Sequence, residues 1–298
     1  MSSILNLKPS KWDLKDLIQD NKSKELQKHL EYIDEKVKQF EDKKSILSPE
    51  ITVNEFLGLL THSESISEDL SKVSGYAHLK YAEDTSSNEA GAFVTKMNLY
   101  ATELSNRLLF FDLWFKKELD EENANRLIQG VPDVYREYLK HERALSKFTL
   151  KESEEKIINI LDVTGISALI KIYDRMTNGF EYEYIEQKGK KKIRKIFTNK
   201  EKLVSMVRSS KPSERIAAYK SLWATYKKNS GVLGEIYINR VLNWRNEYII
   251  LRKFPSPISV RNLYNDIDDK TGETLLKVCK ANSSIFQKYF NEKAKMIK

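Results

Sequence analysis

The chain has 298 residues, enough at roughly 150 per domain for one large or two ordinary domains, with a core that needs no disulfide or metal staple. Its 10 Gly and 6 Pro lie well under half of the usual share of about 12%, which excludes a many-stranded sandwich or barrel. Charged residues make up 32% and apolar ones 40%, and the net charge is +8; this balance suits amphipathic helices and argues against extensive disorder.

No stretch without Asp, Glu, Lys or Arg exceeds eight residues, too short for a membrane-spanning helix. Met1 to Trp12 has neither the basic flank nor the apolar run of a signal peptide. The single cysteine, Cys279, has no internal partner for a disulfide. A cytoplasmic protein is therefore expected.

Residues 1–150 read as helical hairpins. Leu26, Leu30, Ile33, Val37 and Phe40 follow three/four spacing after Ser23, a candidate N-cap. Thr52 and Glu55 have capping-box spacing ahead of Phe56, Leu59 and Leu60, and Ser86 with Glu89 repeats the device. The longest helix of this half is expected next, its stripe running from Ala90 through Phe93, Met97, Ala101, Leu104, Leu108 and Phe111 to Phe115. Long helices of this kind pack as antiparallel neighbours.

Residues 151–298 continue the helices around one interruption. Phe180, Tyr182 and Tyr184 alternate with Glu181 and Glu183, and Ile193, Lys195 and Phe197 alternate with Arg194 and Ile196. This period of two predicts a β-hairpin near 180–198, turning at Gln187-Lys188-Gly189, with Thr198 and Glu201 capping the next helix. The fold class is mainly α with one inserted hairpin. A last helix from Thr271 carries Leu275, Cys279, Phe286, Phe290 and Ile297 roughly on one face, without a stop signal. That face is expected to be a boundary that once met a further lobe, while Cys279 itself reads as a packing cysteine.

Local chemistry is sparse. The four histidines, His29, His62, His78 and His141, are dispersed, and a helical zinc site needs His at i and i+4. His141-Glu142 begins such a pattern, but Leu145 stands where the second ligand belongs and continues an apolar stripe with Tyr138. Asp268-Asp269 and Asp120-Glu121-Glu122 read as helix-end carboxylates. No phosphate loop, nucleophile elbow or paired CxxC occurs. No catalytic or metal residue is assigned, and no cofactor is expected in this chain.

The candidate surface is the basic hairpin: Lys188, Lys190, Lys191, Lys192, Arg194 and Lys195. The segment Lys188 to Lys202 alone carries +7, so the remainder is nearly neutral. With Tyr182, Tyr184 and Phe197 these bases suggest a nucleic-acid surface. The favoured reading is a solvated tip, partly compensated by Glu181, Glu183 and Glu186 pairing across to Lys192, Arg194 and Lys195. Nucleic acid is then not the expected partner.

Several segments together resemble oligoendopeptidase F. They are KPSERIAAYKSLW from Lys211 to Trp223, Pro257 through the run Asn265 to Asp269, Phe286 to Met296, the acidic link Tyr81 to Ala90, and YLKHERALS from Tyr138 to Ser146. They occur in the expected order across nearly the whole chain. The resemblance implies a helical zinc metallopeptidase related to thimet oligopeptidase, cutting short unfolded peptides in a deep groove between two lobes. It also implies that zinc, the HExxH motif and the downstream Glu lie in a C-terminal catalytic lobe absent here. This chain would be the N-terminal, groove-wall lobe, with residues 151–298 leading toward the catalytic domain. A non-enzymatic helical scaffold is the alternative, and a nucleic-acid binder acting through the hairpin is the third choice.

Overall fold

A computed structural model describes residues 12–297. The described residues are mainly helical, with one two-stranded antiparallel hairpin. They group into two compact units, one of residues up to Trp114 with Lys151–Val241, the other of Phe115–Leu150 with Leu242 onward.

In the first unit, α1 (Lys24–Glu41), α2 (Val53–Glu83) and α3 (Asn88–Leu113) pack on one another. The five predicted α1 positions are its five buried residues, as expected when one stripe of a helix faces the core. Phe40 is fully buried and meets Phe111 edge-on at 5.5 Å between ring centres, while Phe56 stands 6.0 Å from Phe111. Polar ties fix the pitch of the helices. Lys36 donates to Asp69 (2.6 Å) and Ser65 (2.7 Å), and Arg107 forks onto Glu41 at 3.0 and 2.6 Å.

The Thr52 capping box forms as predicted. The Glu55 amide donates to Thr52 Oγ1 (3.2 Å), and the Thr52 amide donates back to Glu55 Oε2 (2.9 Å). The Thr52 hydroxyl and amide hold the Glu55 carboxyl below its ordinary value of 4.5. Thr52→Ala is expected to cost about 1 kcal/mol at neutral pH. Because the folded pKa is depressed, the carboxylate's share of this cap is full above about 4.5 and is lost as pH falls through the folded value. In urea melts the gap between the two proteins should narrow from pH 7 to pH 3 without closing, since the Glu55 amide still donates to Thr52 Oγ1 in acid; an undiminished gap at pH 3 would contradict the assignment.

Several boundaries differ from the sequence reading. α2, at 31 residues, is longer than α3 at 26. Ser87, not Ser86, caps α3, because the Ser86 amide and hydroxyl are taken by Asp84 at 2.9 and 2.6 Å. Glu89 pairs with Lys22 at 2.7 Å instead of closing a box. The α3 stripe ends in a π turn, Trp114–Glu118, that carries Phe115.

The rest of this unit is α6 (Glu152–Thr164), α7 (Ile166–Asn178), the strands β1 (Tyr182–Lys188) and β2 (Lys191–Phe197), α8 (Lys200–Val207), α9 (Pro212–Lys228) and the first part of α10 (Ser230–Arg245). The strands lie where their period of two placed them, with a two-residue turn at Gly189-Lys190 in place of 187–189. Gly189 has φ 61°, a left-handed turn conformation open to glycine at no steric cost. Asn199, not Thr198, caps α8, accepting from the amides of Glu201 and Lys202 at 2.8 and 3.2 Å.

The second unit holds α4 (Glu121–Gly130), α5 (Asp133–Leu145), α11 (Pro257–Tyr264), α12 (Asp269–Ala281) and α13 (Ser283–Ile297). Arg143 organises its start, donating to the carbonyls of Phe115 (2.6 Å), Lys116 (3.0 Å) and Leu119 (2.9 Å). The predicted single last helix is two, interrupted at Asn282, whose side chain turns back to the Val278 carbonyl at 2.9 Å. Cys279 is exposed, against the packing role expected for it, because no described element covers that face of α12.

Candidate functional site

The hairpin stands on its inner face. Phe180, Tyr182, Tyr184 and Glu186 are buried, packed with Leu203 of α8 and Ala217 and Ala218 of α9. Lys188, Lys190, Lys191, Lys192, Arg194 and Lys195 are all exposed, so the six bases share one outward element.

The expected compensation by cross-strand acids fails. With the turn at Gly189-Lys190, Glu183 faces Ile196 and Glu186 faces Ile193, while Lys192 faces Gln187 and Lys188 faces Lys191. Glu186 turns inward, accepting from Ser213 Oγ (2.9 Å) and the Tyr184 hydroxyl (3.1 Å). The tip is thus a cluster of solvated cations with no acid directly opposite any of them in the ladder, Glu214 of α9 being the carboxylate that Lys188 acts on. Burial also removes Tyr182 and Tyr184 from any stacking surface, which takes the aromatic part away from the nucleic-acid reading.

Like charges directly opposite each other destabilise a ladder. Replacing Lys188, Lys190, Lys191 and Lys192 with Ser should therefore leave stability within about 0.5 kcal/mol or raise it. Loss of the folded state in a thermal melt would show that the tip is structural.

The histidines do not assemble a metal site. His29 lies 3.8 Å from Asp69, and His141 lies 3.6 Å from Asp266. His62 stands edge-on to Phe40, and burial, then Lys43 and Lys36, push its pKa below the ordinary value. Glu142 is occupied by an ion pair with Lys116 at 2.5 Å, so the His141-Glu142 pair is structural; the buried member of α5 is Leu139, not Tyr138. Asp120 caps α4, Asp268 caps α12, and Asp269 accepts from Ser259 and Asn262, both at 2.8 Å. Among the described residues no three His, Cys, Asp or Glu are placed to hold a metal ion. The residues present therefore do not fit a catalytic zinc, which needs three protein ligands and an open position.

His78 reaches a cleft of about 580 Å³ walled by α2, α3, α6 and α7. Lys171 ties that cleft together, its ammonium donating to the Gly91 carbonyl and to Thr95 Oγ1 (2.6 Å). Burial, and then Arg175, lower the pKa of this amine.

The sequence reading missed the extent of exposed apolar surface. Ile157, Ile160 and Leu161 on α6, and Ile216, Tyr219 and Trp223 on α9, are exposed at helical spacing. A legible signal existed in α9, which is apolar on more than one side (Ala217, Ala218 and Leu222 inward, Trp223 outward), a pattern of helices covered all round. In α12 and α13, Leu275, Leu276, Phe286, Tyr289, Phe290 and Ile297 are all exposed.

Comparison with known proteins places this architecture. No family model matches the chain. The crystal structure of oligoendopeptidase-F from Enterococcus faecium superposes with a TM-score of 0.73 at 17% identity, over 89% of this chain and 50% of that one. That of a putative peptidase from Chlamydophila abortus gives 0.57 at 18% identity, over 94% and 46%. The chain thus has the helical fold of these structures over about half their length. In sequence it is 25% identical over 291 residues to the oligoendopeptidase F homolog of Borreliella burgdorferi, covering 96% of this chain and 46% of the relative. The chain is homologous to oligoendopeptidase F, and it spans about half the length of the curated relative it matches. Among the described residues no helix is long and apolar enough to cross a membrane.

Proposed function

We propose that these residues form the N-terminal, groove-wall lobe of an oligoendopeptidase F-like zinc metalloendopeptidase that hydrolyses short unfolded peptides in the cytoplasm. The observation that carries the reading is similarity along 96% of the chain to less than half of an oligoendopeptidase F homolog. Zinc and its HExxH ligands then belong to the other half. What this lobe supplies is a wall that restricts the groove to narrow, unfolded chains.

The apolar row on α12 and α13 supports a covered face, since contiguous exposed apolar patches beyond a few hundred Å² are unusual on monomers. On its own the 298-residue chain should self-associate in light scattering, and Phe286→Lys with Phe290→Lys should reduce that. Joined to an HExxH-bearing half, the unaltered protein should be monodisperse. A monomeric isolated chain whose α13 amides are as protected from hydrogen exchange as those of α3 would oppose the reading.

A further inference from the structure

The hairpin offers a free sheet edge. Among the described residues β1 pairs with β2 on one side only, and the two-residue turn makes Lys188–Lys191 a hydrogen-bonded pair. Bonded and non-bonded pairs then alternate along an antiparallel ladder. In the observed register the backbone N–H and C=O of Gln187, Ile185 and Glu183 therefore point away from β2.

These three residues line a groove of about 580 Å³ whose opposite wall is α9. Two ties hold α9 alongside: Ser213 Oγ donates to Glu186 at 2.9 Å, and Thr225 Oγ1 donates to the Glu181 carbonyl at 3.4 Å. Between them the α9 wall is small, formed by Ala217, Ser221 and Ala224, with Lys220 and Lys228 also lining the groove. Ser221 is only 4% exposed, and its hydroxyl has no hydrogen-bond partner among the described residues. An unsatisfied buried hydroxyl is costly, and turning about χ1 would let it bond a main-chain group laid in the groove.

We infer that this groove binds an extended peptide by strand addition to β1, with acidic residues of the peptide at the hairpin-tip end. The edge from Glu183 to Gln187 matches a segment of about five residues at ~3.4 Å each. Charge sets the orientation. Glu181 and Glu183 share the far end with Lys228 and Lys220, whereas the near end opens onto the exposed Lys188, Lys190, Lys191 and Lys192, of which Lys188 acts on Glu214. Main-chain bonds supply affinity in this mode and side chains supply selectivity. The inference stands whether or not the lobe serves a peptidase.

The test is fluorescence anisotropy of the intact chain with a labelled hexapeptide, two glutamates followed by alternating threonine and valine. Saturable binding is expected. A probe N-methylated at alternate amides should bind at least about fivefold more weakly, the loss of one net main-chain bond. Ile185→Pro removes one outward N–H without touching the ladder, since proline is tolerated at an unpaired edge, and should weaken binding by a similar factor. Ser221→Leu, which fills the groove floor, should abolish it. Absence of saturable binding overturns the proposal. So does equal affinity for the N-methylated probe, or displacement by single-stranded RNA that is unaffected by Ser221→Leu; either would mean that the lysine tip alone attracts polyanions.

Discussion

Tyr184→Ala is expected to lower the unfolding free energy by about 3–5 kcal/mol, the range for deleting a buried aromatic ring. Tyr184 is 1% exposed on the inner face of β1, where its ring meets Phe197 edge-on at 5.6 Å between centres. Its hydroxyl is one of two donors to the buried Glu186, so truncation opens a cavity and also strips a carboxylate of a partner. Tyr184→Phe keeps the packing and removes only the donor, and should cost less, about 1–3 kcal/mol.

The same contact makes an alkaline prediction. Burial, and then Glu186, push the Tyr184 pKa from 10.0 up to about 12. The folded state holds this proton more tightly than the unfolded state does. Its contribution is therefore fully present below about 10 and is lost as pH rises from about 10 toward about 12. Urea melts of the three proteins across that window check both points. A Tyr184→Ala cost under 1 kcal/mol would show that the hairpin is not anchored by its inner face.

What the sequence made legible follows from which interactions are local. Leu26 to Phe40 and the Thr52–Glu55 box lie within one helix turn or a few, so spacing alone places them. Tyr182 and Tyr184 likewise reveal their strand by alternation. The pairing partners of Glu183 and Glu186 depend on the turn. Moving it to Gly189-Lys190 sets isoleucines, not bases, opposite both carboxylates. Ser86 and Ser87 are equivalent as cap candidates until Asp84 engages one of them. The free edge of β1 and the unpartnered Ser221 arise from the meeting of α9 with the hairpin, residues far apart in sequence, and periodicity carries no record of that meeting. Cys279 shows the same limit in reverse, because its apolar neighbours on α12 read as core although no described element covers them.

The proposed role rests on a division of labour: this lobe shapes the groove and another half performs the chemistry. The measurement that tests it most directly is zinc content after dialysis, together with cleavage of a quenched short peptide, for the 298-residue chain and for a chain extended through an HExxH region. The expected result is neither bound zinc nor cleavage from the first, with stoichiometric zinc and chelator-sensitive cleavage from the second. Stoichiometric zinc or chelator-sensitive cleavage by the 298 residues alone would contradict it.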